Sequence, residues 1–240
     1  MSNLQDSQIN LPPLKRSSFV YLVQGRADLT EQFLSRVGEI ENLIVATWDK
    51  KIQSNIAKTS KLFFIPGTSW AEGRNFLFNQ AMKMYPNADY YIFCDEDVKF
   101  SQNFILEFEK SLSNYRPGIA VPLCDRIKSE NWYSNKIAEH PIRHDQVFQA
   151  FSREILTEGF VFPIDTSFDE ISWWLTTNMQ HYLIQSKYFH QTLQFNNLEV
   201  YNSHHTLESS SPDSLEFESK YVNGAFSAEE MHLLKSYIDQ

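Results

Sequence analysis

Cysteine is scarce: the 240 residues hold two, Cys94 and Cys124, both at the ends of apolar runs. A reduced, buried pair is the plain expectation, and a disulfide scaffold or a cysteine zinc site is excluded. Positive charge is also short, with 21 Lys and Arg against 30 Asp and Glu and a net charge of −9. That balance argues against nucleic-acid backbone binding as the main activity, and against a basic membrane-facing patch. No apolar run reaches membrane-spanning length and the N-terminus has no apolar signal core, so the expectation is a cytoplasmic protein with no membrane span. No G-x-G-x-x-G or G-x-x-x-x-G-K-[ST] phosphate loop is present, and no internal repeat. What is plentiful is aromatic side chains, 15% of the chain. They suit a core, and also stacking on sugar or base faces.

Strand and helix patterns alternate through the first half. Phe19–Val23, Leu43–Trp48, Lys61–Ile65, Tyr90–Cys94 and Ile119–Leu123 read as strands. Between them lie a helix capped by Asp28, a longer one capped by Ser69 and running to Tyr85, and one from Ser101. This order predicts an α/β fold with a mostly parallel sheet flanked by helices, ligands lying beyond the carboxyl ends of the strands. The second half is less regular. Residues 126–145 read as a polar loop, Val147–Phe151 as a strand, and Phe168 to Tyr188 as a long helix. Leu193–Phe195 and Leu198–Tyr201 read as a hairpin across Asn196-Asn197, or as two edge strands. The expected organisation is a loose arm over 1–16, a nucleotide-binding half over 17–125, an acceptor-binding half over 126–205, and a flexible loop with a C-terminal helix over 206–240.

The fourth strand carries the chemistry. Tyr90-Tyr91-Ile92-Phe93-Cys94 runs straight into Asp95-Glu96-Asp97. An apolar strand is buried, whereas ionised carboxylates cannot be buried unpaired. The strand must therefore deliver its acids to a sheet edge. Asp95 and Asp97 are two apart and share a side, with Glu96 opposite. Paired carboxylates suit a hard divalent cation.

This tripeptide after an apolar strand resembles the Asp-X-Asp motif of GT-A nucleotide-sugar glycosyltransferases, and the resemblance spans residues 17–205. It implies a single Rossmann-like GT-A domain with a smaller acceptor-side region. It also implies Mn²⁺ or Mg²⁺ on Asp95 and Asp97, with one of His204 and His205 completing the metal site. Gln24, Gly25, Arg26 and Asp49 would border the nucleotide. The run Ala71-Glu72-Gly73-Arg74-Asn75 is similar to the Gly/Ala-Arg-Asn element of the family, which places Arg74, with Asp95 and Glu96, on the donor's diphosphate or ribose. Asp169-Glu170 ahead of Trp173-Trp174 matches the acid pair of the acceptor-side helix. Glu170 is then the general base, Asp169 its companion, and Trp173 or Trp174 a sugar platform. The implied activity is transfer of a sugar from a nucleoside diphosphate-sugar to an acceptor hydroxyl of a glycan, lipid or small molecule, with inversion. Plainer roles stay open for the same residues: Asp49 in a turn, Arg74 paired with Glu72, Asp169-Glu170 as ordinary first-turn charge. The alternatives are a nucleotidyltransferase of related fold, whose G-x-G-T-R-like loop Gln24-Gly25-Arg26-Ala27 does not match, and a non-catalytic nucleotide- or sugar-binding module. The Arg-rich continuation of polysaccharide synthases is missing, which argues against a processive polymerase.

Overall fold

The structure is a computed structural model, and residues 18–52, 60–129, 133–167, 169 and 173–202 are described, with side chains of the last segment from residue 176. Four strands form the parallel half of one sheet: β1 (Phe19–Gly25), β2 (Leu43–Thr47), β3 (Lys61–Phe64) and β4 (Tyr90–Asp95), in the spatial order β3-β2-β1-β4. Both faces are covered, which is why β1, β2 and β4 read as unbroken apolar runs. Alternation along β1 sends Tyr21 and Val23 to one face and Val20 and Leu22 to the other.

Helices α1 (Ala27–Val37) and α3 (Phe104–Tyr115) cover the first face. Phe104, Phe108 and Leu112, one turn apart, form the buried stripe of α3. Helix α2 (Trp70–Met84) covers the second face through Ala71, Leu77 and Ala81. Ser69 caps it, as its sequence predicts, and the structure adds Glu72 to make a full capping box: Ser69 Oγ accepts from Glu72 N at 3.1 Å and Ser69 N donates to Glu72 Oε2 at 2.8 Å. Helix α1 differs from expectation. Its cap residue is Arg26, without a side-chain bond, and the carboxylate that meets its first turn is Asp49, whose Oδ1 accepts from Ala27 N at 2.8 Å. Asp28 lies inside the first turn.

The second half turns the sheet around. Strand β8 (Phe148–Ser152) pairs antiparallel with both β4 and β6 (Ile119–Cys124). Strand β9 (Thr192–Asn202) runs parallel to β6, and two short strands, β5 (Val98–Phe100) and β7 (Ala138–Glu139), lie antiparallel against β9. The expected hairpin at Asn196-Asn197 is therefore not formed. Asn196 and Asn197 sit inside one eleven-residue strand. The reason is a bulge: the partner of Pro122 is Phe195 and that of Leu123 is Glu199, so residues 196–198 are skipped. Proline has no N–H for the ladder, and a bulge beside it is the usual accommodation. Asn196 uses the slack to bind the loop across from it, donating from Nδ2 to Ser134 O at 3.0 Å and Glu139 Oε1 at 2.7 Å. The 126–145 stretch, expected as loop, holds β7 and part of a short helix α4 (Asp125–Ser129).

Helices α5 (Arg153–Thr157) and α6 (Trp173–Tyr188) follow, and the expected start of the second at Phe168 lies outside the described residues. Most of the aromatic surplus is core. Phe93 stacks on Phe162 at 4.7 Å between centroids and meets Phe151 edge-on, while Phe100, Phe104, Phe108 and Phe148 form a second set. Each such pair adds roughly 0.5–1.5 kcal/mol beyond area burial. The N-terminal arm, the 206–240 region and its helix lie outside the described residues.

Candidate functional site

Strand β4 stays fully buried through Cys94 and ends at Asp95. The chain turns at Glu96 and Asp97 and returns as β5, so the acids occupy a turn at the carboxyl edge of the sheet. Strand β8 begins opposite this point, Phe148 pairing with Cys94, and Asp95 N donates to Val147 O at 2.9 Å. Because β8 runs antiparallel to β4, residues 144–147 leading into it arrive at the same edge as the acids.

Glu96 folds back onto the tip of β1, where its Oε1 accepts from Arg26 N at 3.0 Å. Gly25 makes the room: a Cβ there would stand 1.9 Å from Glu96 Cδ. Burial pushes the Glu96 carboxyl up to about 8, against the Arg26 N–H and with help from the Asp95 charge. Asp95 points the other way. Its Oδ1 accepts from Arg74 Nη2 at 2.7 Å. Burial raises its carboxyl to about 6; Arg74 opposes the rise, and Asp97 and then Asp145 add to it.

Arg74 is 1% exposed. Its guanidinium lies between the Trp70 and Phe93 rings, 4.8 and 5.3 Å from their centroids, and Nη2 also donates to Gln146 O at 3.0 Å. This cation does not line the crevice it was expected to serve; it lies behind the acids.

The crevice holds about 480 Å³. Asp95, Glu96 and Asp97 line it together with His144, Asp145, Gln146 and Val147 ahead of β8. Trp48 after β2, and Thr68, Ser69 and Trp70 at the start of α2, form a second wall. Arg126 and Ile127 of α4, Arg143, Asp169, and Thr177, Asn178 and His181 of α6 complete it, with Asn202 at the end of β9. A concave space of this size with convergent polar groups is what a small ligand needs.

Asp169 is held from two sides. The Ser69 hydroxyl donates to its Oδ2, and Thr176 Oγ1 donates to its Oδ1 at 2.6 Å. The carboxylate thereby joins the N-terminus of α2 to the first turns of α6. His144 is buried between amides: Gln185 Nε2 donates to Pro141 O at 3.0 Å and stands 3.3 Å from His144 Nδ1, while His144 Nε2 faces the Gln149 amide at 3.2 Å. The His181 ring is 4.5 Å away, centroid to centroid. Burial lowers His144 to about 4, and lowers His181 as well, with His144 and Arg143 adding to the effect. Both rings are neutral near pH 7.

Of the residues singled out in the sequence, Asp95, Glu96, Asp97 and Asp169 come together in the crevice. Gln24, Gly25, Arg26 and Asp49 stand beside it and serve the scaffold. Gln24 is 1% exposed and its Nε2 donates to Trp70 O at 3.2 Å, tying β1 to α2. Arg26 is exposed and pairs with Asp28 at 3.3 Å. Desolvation raises the Asp49 carboxyl, but the N–H groups of Ala27, Lys50 and Asp49 and the Lys50 charge together outweigh it and hold the carboxyl below its usual range. Trp173 and Trp174 open α6, and their side chains lie outside the described residues, as do Glu170, His204 and His205. Sequence reasoning missed Trp48, Trp70, Arg126, Arg143, His144, Asp145 and His181. Trp48 and Trp70 flank residues it did name; the others sit on elements whose direction only the folded sheet reveals.

Among the described residues, no three His, Cys, Asp or Glu side chains gather closely enough to cage an ion. Asp95 and Asp97 nevertheless present hard oxygen donors; burial is the main cause that raises the Asp95 carboxyl, and the neighbouring Asp97 charge, which a cation would offset, adds to it. Two carboxylates with the remaining positions left to water and ligand oxygens is the ordinary arrangement for Mg²⁺ on a phosphate ligand. The residues fit.

No family model matches the chain, and neither does any curated protein. Solved structures do match in fold. The chain is similar to the 1–349 fragment of S. aureus TarS in complex with UDP, at 10% identity and TM-score 0.52, covering 77% of this chain and 60% of that one. It is similar to the same fragment in complex with UDP-GlcNAc, at 9% identity and TM-score 0.56, over 92% and 71%. It is also similar to GalNAc-T7 with UDP, GalNAc and Mn²⁺, at 11% identity and TM-score 0.55, over 78% and 44%. The chain thus spans 60% of the first of these and under half of the last. The likeness to these structures is one of fold: a central sheet flanked by helices. Among the described residues, no helix is long and apolar enough to cross a membrane.

Proposed function

We propose that this protein is a glycosyltransferase that takes a sugar from a nucleoside diphosphate-sugar and passes it to an acceptor hydroxyl with inversion. The observation that carries the reading is one crevice, at the carboxyl edge of the sheet, that joins the Asp95–Glu96–Asp97 turn to Asp169 beside α6. The structural neighbours bound to UDP, to UDP-GlcNAc, and to UDP with Mn²⁺ support it.

Asp95 and Asp97 would hold Mn²⁺ or Mg²⁺, which when bound would hold the diphosphate and offset its growing charge. Arg126 and Arg143 bring further positive charge to the same wall. Trp48 and Trp70 offer flat apolar surface for the base or sugar. Glu170, next to the anchored Asp169, would accept the acceptor hydroxyl's proton. That oxygen forms the new bond at the anomeric carbon, and the bond from that carbon to the phosphate oxygen breaks, releasing the nucleoside diphosphate. The clamp on Asp169 from Ser69 and Thr176 ties residue 169 to the start of α2 and the first turn of α6. His204 or His205 would complete the cation's shell.

The test is a panel of UDP-, GDP- and dTDP-sugars with Mn²⁺, read as release of nucleoside diphosphate. The proposal expects release with at least one donor and its loss in Asp97→Ala. Pyrophosphate formed from a nucleoside triphosphate and a sugar phosphate would replace it with a nucleotidyltransferase. Tight binding without turnover, with every acceptor class offered, would replace it with a binding module.

A further inference from the structure

We infer that Arg74 is a positioning residue that acts on the ligand through Asp95, and that it does not touch the ligand itself. The inference rests on the proposed nucleotide site but assigns Arg74 a role different from phosphate binding.

Three observations carry it. First, Arg74 is among the largest fully buried side chains and is absent from the lining of the crevice. A direct phosphate contact would need the guanidinium to leave the slot between Trp70 and Phe93. Second, the carboxylate it meets is Asp95, at 2.7 Å, on the side of Asp95 turned away from Glu96, and the same nitrogen bonds Gln146 O. One nitrogen therefore pins both the last residue of β4 and the segment entering β8, the two lips of the acidic edge. Third, Nε and Nη1 have no hydrogen-bond partner among the described residues. A guanidinium buried with two unmet donors is a poor stabiliser, and an apolar side chain of like size would serve stability as well or better. What an apolar side chain could not do is hold one oxygen of Asp95 inward and leave the other for the crevice.

The consequence is that removing Arg74 weakens ligand binding chiefly through Asp95, the crevice carboxylate it holds. The experiment is a double-mutant cycle of Arg74→Met and Asp95→Asn, with UDP as the probe, titrated calorimetrically with and without Mn²⁺. Met keeps volume between the two rings and removes charge and fork. The expected result is that Arg74→Met weakens UDP binding tenfold or more in Mn²⁺ and less than twofold without it. On the Asp95→Asn background, Arg74→Met should then change Mn²⁺-supported binding by less than twofold, because the group it acts through is already gone. Arg74→Lys, which keeps the charge, should recover part of the loss. Equal weakening with and without Mn²⁺, or an undiminished effect on the Asp95→Asn background, would overturn the inference and return Arg74 to the phosphates. Melting temperatures of the same four proteins separate this from failure of the functional reading. If wild type binds no UDP, strong coupling of the two sites in melting supports the clamp alone, and additive shifts refute it.

Discussion

Lowering the pH should destabilise the protein through His144, and the size of the effect follows from its surroundings. His144 is 5% exposed and sits between the amides of Gln149 and Gln185 and the ring of His181. Among the described residues no carboxylate bonds either ring nitrogen, and burial lowers the pKa to about 4 from 6.5 for a free histidine. Between those values the unfolded chain binds a proton that the native one refuses, so stability is present above pH 6.5 and is lost as pH falls toward 4. A gap of about 2.5 units at 1.36 kcal/mol each is about 3 kcal/mol lost by pH 4. His181, lowered by burial, acts in the same direction. Asp95 and Glu96 act in the opposite direction: their native pKa values are raised, so their contribution is full at low pH and fades as pH rises through about 6 and about 8. The wild-type curve alone is therefore the sum of opposed terms, and the diagnostic quantity is a difference. Urea unfolding of wild type and His144→Gln, at pH 7 and pH 4, should show the gap between them moving by about 3 kcal/mol in favour of the variant at pH 4. A gap that stays constant across that range would refute the picture of His144 as a neutral, amide-locked ring.

Two further substitutions probe the same edge. Gly25→Ala places a methyl where Glu96 lies, 1.9 Å from its Cδ; it should cost roughly 1–3 kcal/mol in urea unfolding and weaken Mn²⁺-supported UDP binding, and an unchanged protein would show that Glu96 moves away freely. Glu170→Gln should abolish sugar transfer while UDP binding stays within about twofold, since a neutral amide cannot take the acceptor's proton; a wild-type transfer rate in that variant would remove Glu170 from the base role.

Much of the parallel half is written plainly in the chain. Unbroken apolar runs at Phe19–Val23, Leu43–Trp48 and Tyr90–Cys94 read as strands covered on both faces, and the Ser69 cap marks the start of α2. The acidic turn was equally legible, because carboxylates that follow such a strand must emerge at its edge. The second half resisted for physical reasons. Asn196-Asn197 has the chemistry of a turn, yet in β9 it feeds a bulge beside Pro122, a fact about the neighbouring strand that no local pattern carries. His144 and Asp145 reach the site because β8 runs against β4, and strand direction is not encoded in hydrophobic period. Arg74 was placed at the right edge and given the wrong depth. Its helical position faces the sheet, but only the packing of Trp70 and Phe93 shows that the guanidinium stays behind Asp95. Asp49 and Gln24, at strand tips where ligand contacts are common, are absorbed by the N-termini of α1 and α2.

The most direct measurement is a crystal of the wild-type protein soaked with MnCl₂ and UDP, with data collected at the manganese absorption edge. The account predicts one anomalous peak in the crevice, ligated by Asp97 and one oxygen of Asp95 and by the diphosphate, with Arg74 still seated between Trp70 and Phe93. UDP bound elsewhere, or in the crevice with Asp95 and Asp97 contacting neither the ion nor the diphosphate, would contradict it.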